Sequence, residues 1–152
     1  GLLLSATGGF GTEPRLLDSA NPGDDIDLGA PNENCADGPG PGVGEGGEPG
    51  KPGVNCNPLG NVLIIQEDPA EEPNDDKDGG TITFSFTTEA QYVYDIGLLD
   101  IDYASYLTVV FDNGNGLETK LIGIELLGDN SWQSVEINTA NVVELKLTLS
   151  RS

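Results

Sequence analysis

The sequence predicts an all-β protein, an antiparallel β-sandwich of about nine strands with one long Gly/Pro-rich acidic loop. Two observations support this fold class. After Gly80 the chain is rich in Thr, Val, Ile, Tyr and Phe in period-two alternation, as in "TITFSF" and "VELKLTL", which is typical of half-buried strands. Turn signals such as "DNGNG", "LGDNS" and "NTAN" recur roughly every eight to twelve residues, the spacing of an antiparallel sandwich.

The predicted strands fall into two groups. Three lie in the first half, near 1–6, 14–19 and 61–67. Six lie in the second half, near 81–87, 91–101, 105–111, 117–126, 132–138 and 141–149. The four aliphatic residues of "NVLIIQE" favour a strand buried on both faces or central in its sheet. The faces expected to form the core carry Ile82, Phe84, Phe86, Val143, Leu145, Leu147 and Leu149.

A long irregular segment interrupts the strands. All ten prolines lie at or before Pro73, and residues 35–56 alternate Gly and Pro too densely for a regular element. We expect one domain over residues 1–152, with 19–60 inserted as a loop between strands. A loop of this length is either functional or disordered.

The charge balance restricts the partners. With 26 acidic and 6 basic residues the formal net charge is −20, which excludes nucleic acid and anionic membranes as favoured partners because both are negative. Cations are the natural counterpart. No stretch is long enough to cross a bilayer, so we expect no membrane insertion.

Two cysteines, Cys35 and Cys56, are the only sulfur-containing residues, and there is no His. The usual ligands for zinc, copper and haem are therefore missing. One disulfide is the favoured interpretation, and it would place the protein in an oxidising compartment. Closing this loop would stabilise the fold by about 3 kcal/mol. The alternative is two unpaired thiols.

The first acidic cluster lies in the long loop. Its candidate ligands are Asp24, Asp25 and Asp27 of "DDID", followed by Asn32 and Glu33 of "NEN". Calcium takes six to eight oxygen ligands from carboxylates, amides and backbone carbonyls, and an irregular loop can direct all three kinds inward. The cluster therefore predicts a calcium site. The alternative is a solvated acidic loop.

A second cluster, "PNDDKDGG", places Asn74, Asp76 and Asp78 at alternating positions before Gly79. This pattern matches the opening of a D-x-[DN]-x-[DN]-G calcium loop. The twelfth position is Ser85 rather than Glu, so the segment is not an EF-hand. We predict calcium binding here, with a flexible hairpin tip as the alternative.

A third acidic pair lies in "LLDIDY". Asp100 and Asp102 share one side of a strand, opposite Leu99 and Ile101. Two like charges on one strand face repel, and a nearby cation or hydrogen-bonding loop would relieve them. The alternative is an exposed strand end.

Catalysis is not expected. Without His the usual nucleophilic triads are missing, and bridged cysteines leave no thiol nucleophile. A glycosidase pair stays open, although so many acids make any one pair uninformative. Sugar binding is a further hypothesis, because β-sandwich modules often bind glycans through exposed aromatics. The candidate glycan contacts are Trp132, Tyr103 and Tyr106, with Tyr92 and Tyr94 as further aromatics.

Six motifs follow one another between Leu16 and Asn138: "LLDSANPGDDIDLGAPNE", "GPGVGEGGEPG", "GNVLIIQED", "GGTITFSF", "IGLLDID" and "LGDNSWQSVEIN". In this order they resemble a family of secreted bacterial modules, often embedded in larger cell-surface proteins. The resemblance implies a β-sandwich of jelly-roll type, export, and structural metal sites at the acidic loops. The patches 24–27 and 100–102 match the family pattern directly.

The ends of the sequence depart from that pattern. In modules of this kind a strand precedes the one that resembles "GLLLSA", and the chain continues beyond "LTLSRS". The resemblance therefore implies a sheet with an unfilled edge, which a strand of another copy can complete. Such a head-to-tail contact generates a filament. The alternative is that the missing strands have been cut away.

Together these features predict a non-catalytic, extracellular, calcium-stabilised β-sandwich with a structural or adhesive role. We expect it to be secreted, at the cell surface or in the extracellular matrix. Its expected partners are copies of itself, as the subunit of a surface fibre. The competing hypothesis is a carbohydrate-binding module of an exported enzyme or cell-surface protein, with surface glycans as partners.

Overall fold

A computed structural model describes residues 1–150 of the chain, which contain eight strands. The strands are β1 (Leu2–Thr7), β2 (Arg15–Asp18), β3 (Asn61–Ile64), β4 (Gly80–Phe86), β5 (Gln91–Leu99), β6 (Tyr106–Asp112), β7 (Leu117–Gly123) and β8 (Trp132–Leu149). Two short 3-10 turns, Ile26–Leu28 and Glu45–Gly47, are the only helical segments of the described residues. The predicted all-β class is confirmed.

The strands form two antiparallel sheets. The larger sheet has the order β1-β4-β8-β6-β7, and β5 also pairs with β8. β2 and β3 form a separate two-stranded sheet. Leu63 and Ile65, at the end of β3, pack against Ala6 and Ile82 of the larger sheet. The two-stranded sheet therefore lies over the inner face of β1 and β4.

Alternation along the strands separates a buried face of the larger sheet from a solvated one. Ile82, Leu147 and Leu107 lie side by side on β4, β8 and β6, and all three are buried. The neighbouring row, Thr83 and Lys146 with their partner on β6, faces the other way and is partly exposed. This pattern is expected for an antiparallel sheet with one face on the core.

β8 spans 18 residues and replaces two predicted strands, 132–138 and 141–149. The predicted turn is a bend within one strand, where Asn138 and Asn141 take left-handed φ values of 43° and 56°. Asn tolerates this conformation better than most residues. β8 pairs with β5 before and across the bend, as far as Val142, and after the bend it lies between β4 and β6.

The main core lies on the inner face around the second part of β8. It contains Leu98, Ile101, Leu107, Val109, Ile124, Ile137, Val142, Leu145 and Leu147. The expectation that Val143 belongs to this core was wrong, because Val142 is buried in its place. A register irregularity at Phe111, the partner of Val142, shifts the alternation by one residue there.

The segment "NVLIIQE" is buried on both faces, as predicted. Ile64 packs with Leu17 and Leu28, whereas Ile65 packs on the opposite side with Ala6 and Ile82. Since β3 belongs to a two-stranded sheet, this burial comes from packing between layers and not from a central position in a sheet.

The long loop 19–60 follows a defined path, and its predicted disulfide is confirmed. Cys35 and Cys56 are bonded, with their Cα atoms 5.5 Å apart. The glycines of the loop allow its backbone to lie directly against the turn before β8. A Cβ on Gly47 would lie 2.4 Å from the carbonyl oxygen of Asn130, which explains why side chains are excluded there.

Three buried asparagines join the loop to that turn. The Asn130 side-chain amide donates to the carbonyls of Asp27 and Gly29, each at 2.7 Å. Its Oδ1 accepts from the amides of Asn32 (2.7 Å) and Asn55 (3.3 Å). This asparagine network fixes Asp27 relative to the end of β5 and the start of β8.

Candidate metal centre

A cleft of about 710 Å³ opens between the two-stranded sheet and the larger sheet. Its floor is apolar and includes Ile82, Phe84, Ile96, Leu98, Leu147 and Leu149. Its acidic lining residues are Asp25, Asp27, Asp75, Asp76, Asp100 and Asp102. The sequence-predicted pair Asp100 and Asp102 and part of the first predicted cluster therefore meet in one cleft, although about 75 residues of chain separate them.

Two of these carboxylates, Asp100 and Asp102, form the tightest group together with Asp129, which is exposed and does not line the cleft. One oxygen each of Asp100, Asp102 and Asp129 lies within 4.8 Å of the other two. Asp100 and Asp102 follow β5 directly, and Asp129 belongs to the turn before β8, which pairs with β5. We call these three residues the carboxylate triad.

Backbone geometry holds the triad in place. The Asp100 N–H donates to the Ser131 carbonyl at 2.8 Å, and the Asn130 N–H donates to Asp100 Oδ1 at 2.6 Å. Asp100 and Asn130 both adopt a φ of 59°, which Asp and Asn tolerate better than other non-glycine residues. These two bonds tie the end of β5 to the turn that carries Asp129.

The triad is electrostatically unfavourable without a counter-charge. The pKa of Asp100 is raised to about 8, chiefly by burial and also by the charges of Asp27, Asp102 and Asp129, while the hydrogen bond from the Asn130 N–H lowers it. Burial raises the pKa of Asp102 to about 6, assisted by Asp129. One oxygen of Asp102, Oδ1, is buried and has no hydrogen-bond partner. A bound cation would satisfy it.

A second acidic group lies beside the triad. The Asp75 N–H donates to Asp25 Oδ2 at 2.9 Å. Burial raises the pKa of Asp75 to about 7, and the charges of Asp25, Asp27 and Asp76 add to this effect. Burial is also the main cause of the raised pKa of Asp25. The negative charge of Asp27 raises the pKa of both Asp75 and Asp100, so Asp27 couples the second acidic group to the triad.

The residues of the first predicted cluster are divided among four places. Asp25 and Asp27 line the cleft, whereas Asp24 is exposed and lines a separate groove. Asn32 is fully buried in the asparagine network, where its amide donates and its Oδ1 accepts within the chain. Glu33 is exposed and lies outside the cleft.

In the second predicted cluster Asp76 reaches the cleft, and the polar groups of Asn74 and Asp76 also make local hydrogen bonds. Asp76 Oδ1 accepts from the Asp78 N–H at 2.9 Å, which closes a turn. The Asn74 amide donates to Glu67 Oε2 at 3.0 Å. The residue of this segment that contacts Asp25 is Asp75, which is not one of the alternating positions of the predicted calcium loop. An Asx turn therefore accounts for part of the signal that resembled a calcium loop.

Two functional candidates, Asp75 and Asp129, were missed in the sequence. Asp129 stands in "LGDNS", which indicated only a turn, although Asp and Asn next to each other in a turn are also potential ligands. Asp75 is adjacent to residues that the alternating pattern favoured. The local sequence around Asp75 and Asp129 does not reveal that they lie close to Asp25 and Asp100, because these contacts join distant parts of the chain.

The candidate aromatic residues do not form one platform. Trp132 and Tyr103 line the cleft, and Trp132 lies over Gly97, where a Cβ would lie 3.6 Å from the indole nitrogen. Tyr106 is exposed and is not part of the cleft. Tyr92 and Tyr94 form a separate exposed pair with ring centroids 4.5 Å apart.

Comparison with known proteins found no protein-family model, no curated protein and no solved structure that matches the chain. The possible chemistry of the site is therefore inferred from its residues and their distances alone. The cleft offers several partly buried carboxylates, whose hard oxygen atoms are potential cation ligands. Both cysteines are bridged, so they offer no thiolate.

Proposed function

We propose that this protein is a non-catalytic extracellular structural domain, a jelly-roll-like β-sandwich stabilised by calcium at the carboxylate triad. The observation that supports this proposal most directly is the convergence of Asp100, Asp102 and Asp129 within 4.8 Å. Asp100 and Asp102 are partly buried and Asp129 is exposed, and a cation at this spacing would offset their mutual repulsion and give the buried, unpartnered Asp102 Oδ1 a partner.

Calcium fits the triad better than zinc or copper. Ca²⁺ binds oxygen at about 2.3–2.6 Å, so two oxygens of one coordination sphere lie up to about 5 Å apart. The triad oxygens meet this limit. Zinc and copper prefer nitrogen and sulfur ligands, and the chain has neither His nor a free thiol. Asp27 is the residue best placed to add a fourth carboxylate from the long loop.

The expected role of the ion is to stabilise the fold. The triad joins the end of β5 to the turn before β8, and Asp27 belongs to the long loop. A cation bound there would hold three chain segments together and remove the repulsion among their carboxylates. It would also reduce the net charge that opposes association between copies.

An extracellular location is supported by the disulfide, which is compatible with an oxidising environment. None of the helical segments in residues 1–150 is long and apolar enough to span a membrane. The motif resemblance to secreted surface modules points to the same location. Self-assembly by strand addition is part of this proposal, since the larger sheet ends in β1 and β7, each paired on one side only within residues 1–150.

A carbohydrate-binding role is the competing proposal, and it is favoured by the presence of Trp132 and Tyr103 in the same cleft. A glycan array followed by titration of any hit separates the two proposals. Binding that is lost in Tyr103→Ala and retained in the control Tyr94→Ala would support the module. Filaments in electron micrographs of sugar-free protein would support the structural role.

Thermal unfolding with and without calcium tests the metal proposal. We expect the melting temperature of EDTA-treated protein to rise when excess CaCl₂ is added. The double variant Asp100→Asn, Asp102→Asn should lose this response, while its folded state is retained because neutral amides avoid the repulsion. Asp37→Asn, a change at an exposed loop carboxylate, is the control and should respond like the wild type. An unchanged wild-type melting temperature would overturn the proposal.

A further inference from the structure

The open edge of β7 carries the most exposed aliphatic side chains of the described residues. Leu121 and Leu117 are 70% and 66% exposed, more than any other Leu, Ile or Val. β7 is the last strand of the larger sheet and pairs only with β6 within residues 1–150. Exposed leucines on an unpaired strand edge indicate a surface that associates with another strand.

The hydrogen-bonding pattern shows which backbone groups face this edge. The hairpin between β6 and β7 closes with a bond from the Asn113 N–H to the Gly116 carbonyl at 3.1 Å. Bonded and non-bonded pairs alternate along an antiparallel ladder, so the next residue of β7 that bonds to β6 is Glu118. The residues whose N–H and C=O point to the open edge are then Leu117, Thr119 and Leu121.

The sequence of this edge, "LETKL" at 117–121, is complementary to itself in antiparallel pairing. With Thr119 opposite its own copy, each Leu117 lies opposite Leu121 of the other chain. Each Glu118 lies opposite Lys120 of the other chain. Apolar groups then meet apolar groups, which is a favourable cross-strand combination. Opposite charges also meet, because the Lys120 ammonium donates to the Ile137 carbonyl of its own chain at 2.8 Å and keeps two further donors for Glu118 of the other copy.

We propose that β7 is a two-fold symmetric interface between two copies of this chain, antiparallel and centred on Thr119. The pairing would continue the larger sheet across both copies with about six backbone hydrogen bonds, from the outward-facing groups of three residues in each strand. The Leu117 and Leu121 side chains of the two copies would form one apolar cluster on the outer face. The same patch serves both copies, as a two-fold interface requires.

This inference rests on the proposed self-assembly and specifies one contact of it. A β7 contact alone closes as a dimer. A fibre needs a second contact, and the other terminal strand, β1, carries the exposed Leu2 and Leu3. β1 and β7 lie at opposite ends of the sheet, so two different symmetric contacts would alternate along an open chain.

Cysteine cross-linking of the whole chain tests the register. In the proposed pairing the two Thr119 Cα atoms are about 5.5 Å apart, within the range that a disulfide spans. Under mild oxidation at physiological salt, Thr119→Cys should become a covalent dimer. The control Thr108→Cys places the new thiol on the same outer face, one strand inside the edge. It should cross-link at least tenfold more slowly.

Charge reversal provides a second, independent test. Glu118→Lys places two positive charges opposite each other, the new ammonium group and Lys120 of the other copy. It should weaken dimerisation about tenfold in sedimentation experiments. Adding Lys120→Glu restores opposite charges across the interface and should restore dimerisation. Equal cross-linking of both cysteine variants, or insensitivity of the association to charge reversal, would overturn the inference.

The inference and the proposed function fail in different ways. Filaments that form from Glu118→Lys as readily as from wild type would leave self-assembly intact and overturn the β7 contact. Thr119-linked dimers without filaments would support the β7 contact and argue against a fibre. The calcium response is measured separately, by the melting temperature of the carboxylate variants.

Discussion

Two adjacent residues of the turn before β8, Asp129 and Asn130, belong to two polar clusters of different chemistry. One cluster consists of neutral amides and the other of carboxylates. Asn130 belongs to the asparagine network, in which neutral amides donate to and accept from one another and the backbone. Asp129 belongs to the carboxylate triad, in which every member is an acid. In the asparagine network one oxygen, Asn55 Oδ1, has no partner, and in the triad Asp102 Oδ1 has none.

The comparison shows which of the two clusters can find its hydrogen-bond partners within the chain. Buried amides supply both donors and acceptors, so a network of them can make most of its hydrogen bonds within the protein, here all but the one at Asn55 Oδ1. Ionised carboxylates only accept, and their mutual repulsion increases with burial. The asparagine network therefore joins the long loop to the turn through bonds within the chain, whereas under the proposed function a cation from solution would complete the triad. Changes in the two regions should consequently differ in size and in their dependence on calcium.

The largest effect is expected at the centre of the asparagine network. Asn130→Gly keeps the left-handed backbone but removes a side chain that makes four hydrogen bonds. Because several buried groups lose their partners, the free energy of unfolding should fall by about 3–5 kcal/mol. Urea unfolding in EDTA measures this loss without calcium.

Asn138→Gly is the matched control, since Asn138 also has a positive φ but an exposed side chain. It should change the free energy of unfolding by less than about 0.5 kcal/mol. Equal effects of the two substitutions would show that the network contributes nothing specific.

The second effect is a pH dependence of the calcium-free protein. The folded-state pKa values of Asp100 and Asp75 are raised to about 8 and about 7, whereas both groups titrate near 4 in an unfolded chain. Between these values the folded state holds more protons than the unfolded state. The free energy of unfolding should therefore decrease from pH 5 to pH 8, by up to about 6 kcal/mol for the two groups together.

Saturating calcium should flatten or reverse this trend, because the ion replaces the protons. Urea unfolding at several pH values, with EDTA and with CaCl₂, provides the measurement. A calcium-free protein that becomes more stable toward pH 8 would contradict the assigned burial of these carboxylates.

The smallest effect separates neighbouring acids of one motif. Asp27 lines the cleft and acts on Asp100, while Asp24 is exposed and outside it. Asp27→Asn should weaken calcium binding about tenfold, a loss of about 1.4 kcal/mol. Asp24→Asn should leave the affinity within about twofold of wild type. Equal losses in titrations of both variants would mean that the whole loop binds the ion diffusely.

Much of the fold could be predicted because strands leave a local signal. Alternation located the strands of the larger sheet, and the aliphatic run identified the doubly buried segment around Ile64 and Ile65. Two strands merged into β8 because the turn signal "NTAN" also fits a bend at Asn138 and Asn141. Local composition does not distinguish a chain-reversing turn from a bend within one strand, because the outcome depends on which strands pair with the segments on either side.

The candidate site could be predicted only in part. Asp100 and Asp102 were found because they occupy one side of a short segment. Asp129 was missed because its proximity to them depends on the pairing of β5 with β8, which no local pattern encodes. Asn32 was taken as a ligand because amide oxygens bind calcium, but its burial places it in the asparagine network instead. Residue type indicated the chemistry, and tertiary contacts determined which residues meet.

Isothermal titration of EDTA-stripped protein with CaCl₂ at pH 7 tests the central claim most directly. If a cation completes the triad, binding should be saturable and should release protons, because burial raises the pKa of Asp100 to about 8. Repeating the titration in buffers of different ionisation enthalpy measures that release, and Asp100→Asn with Asp102→Asn should abolish both signals. The absence of saturable calcium binding, or unchanged binding in the double variant, would contradict the account.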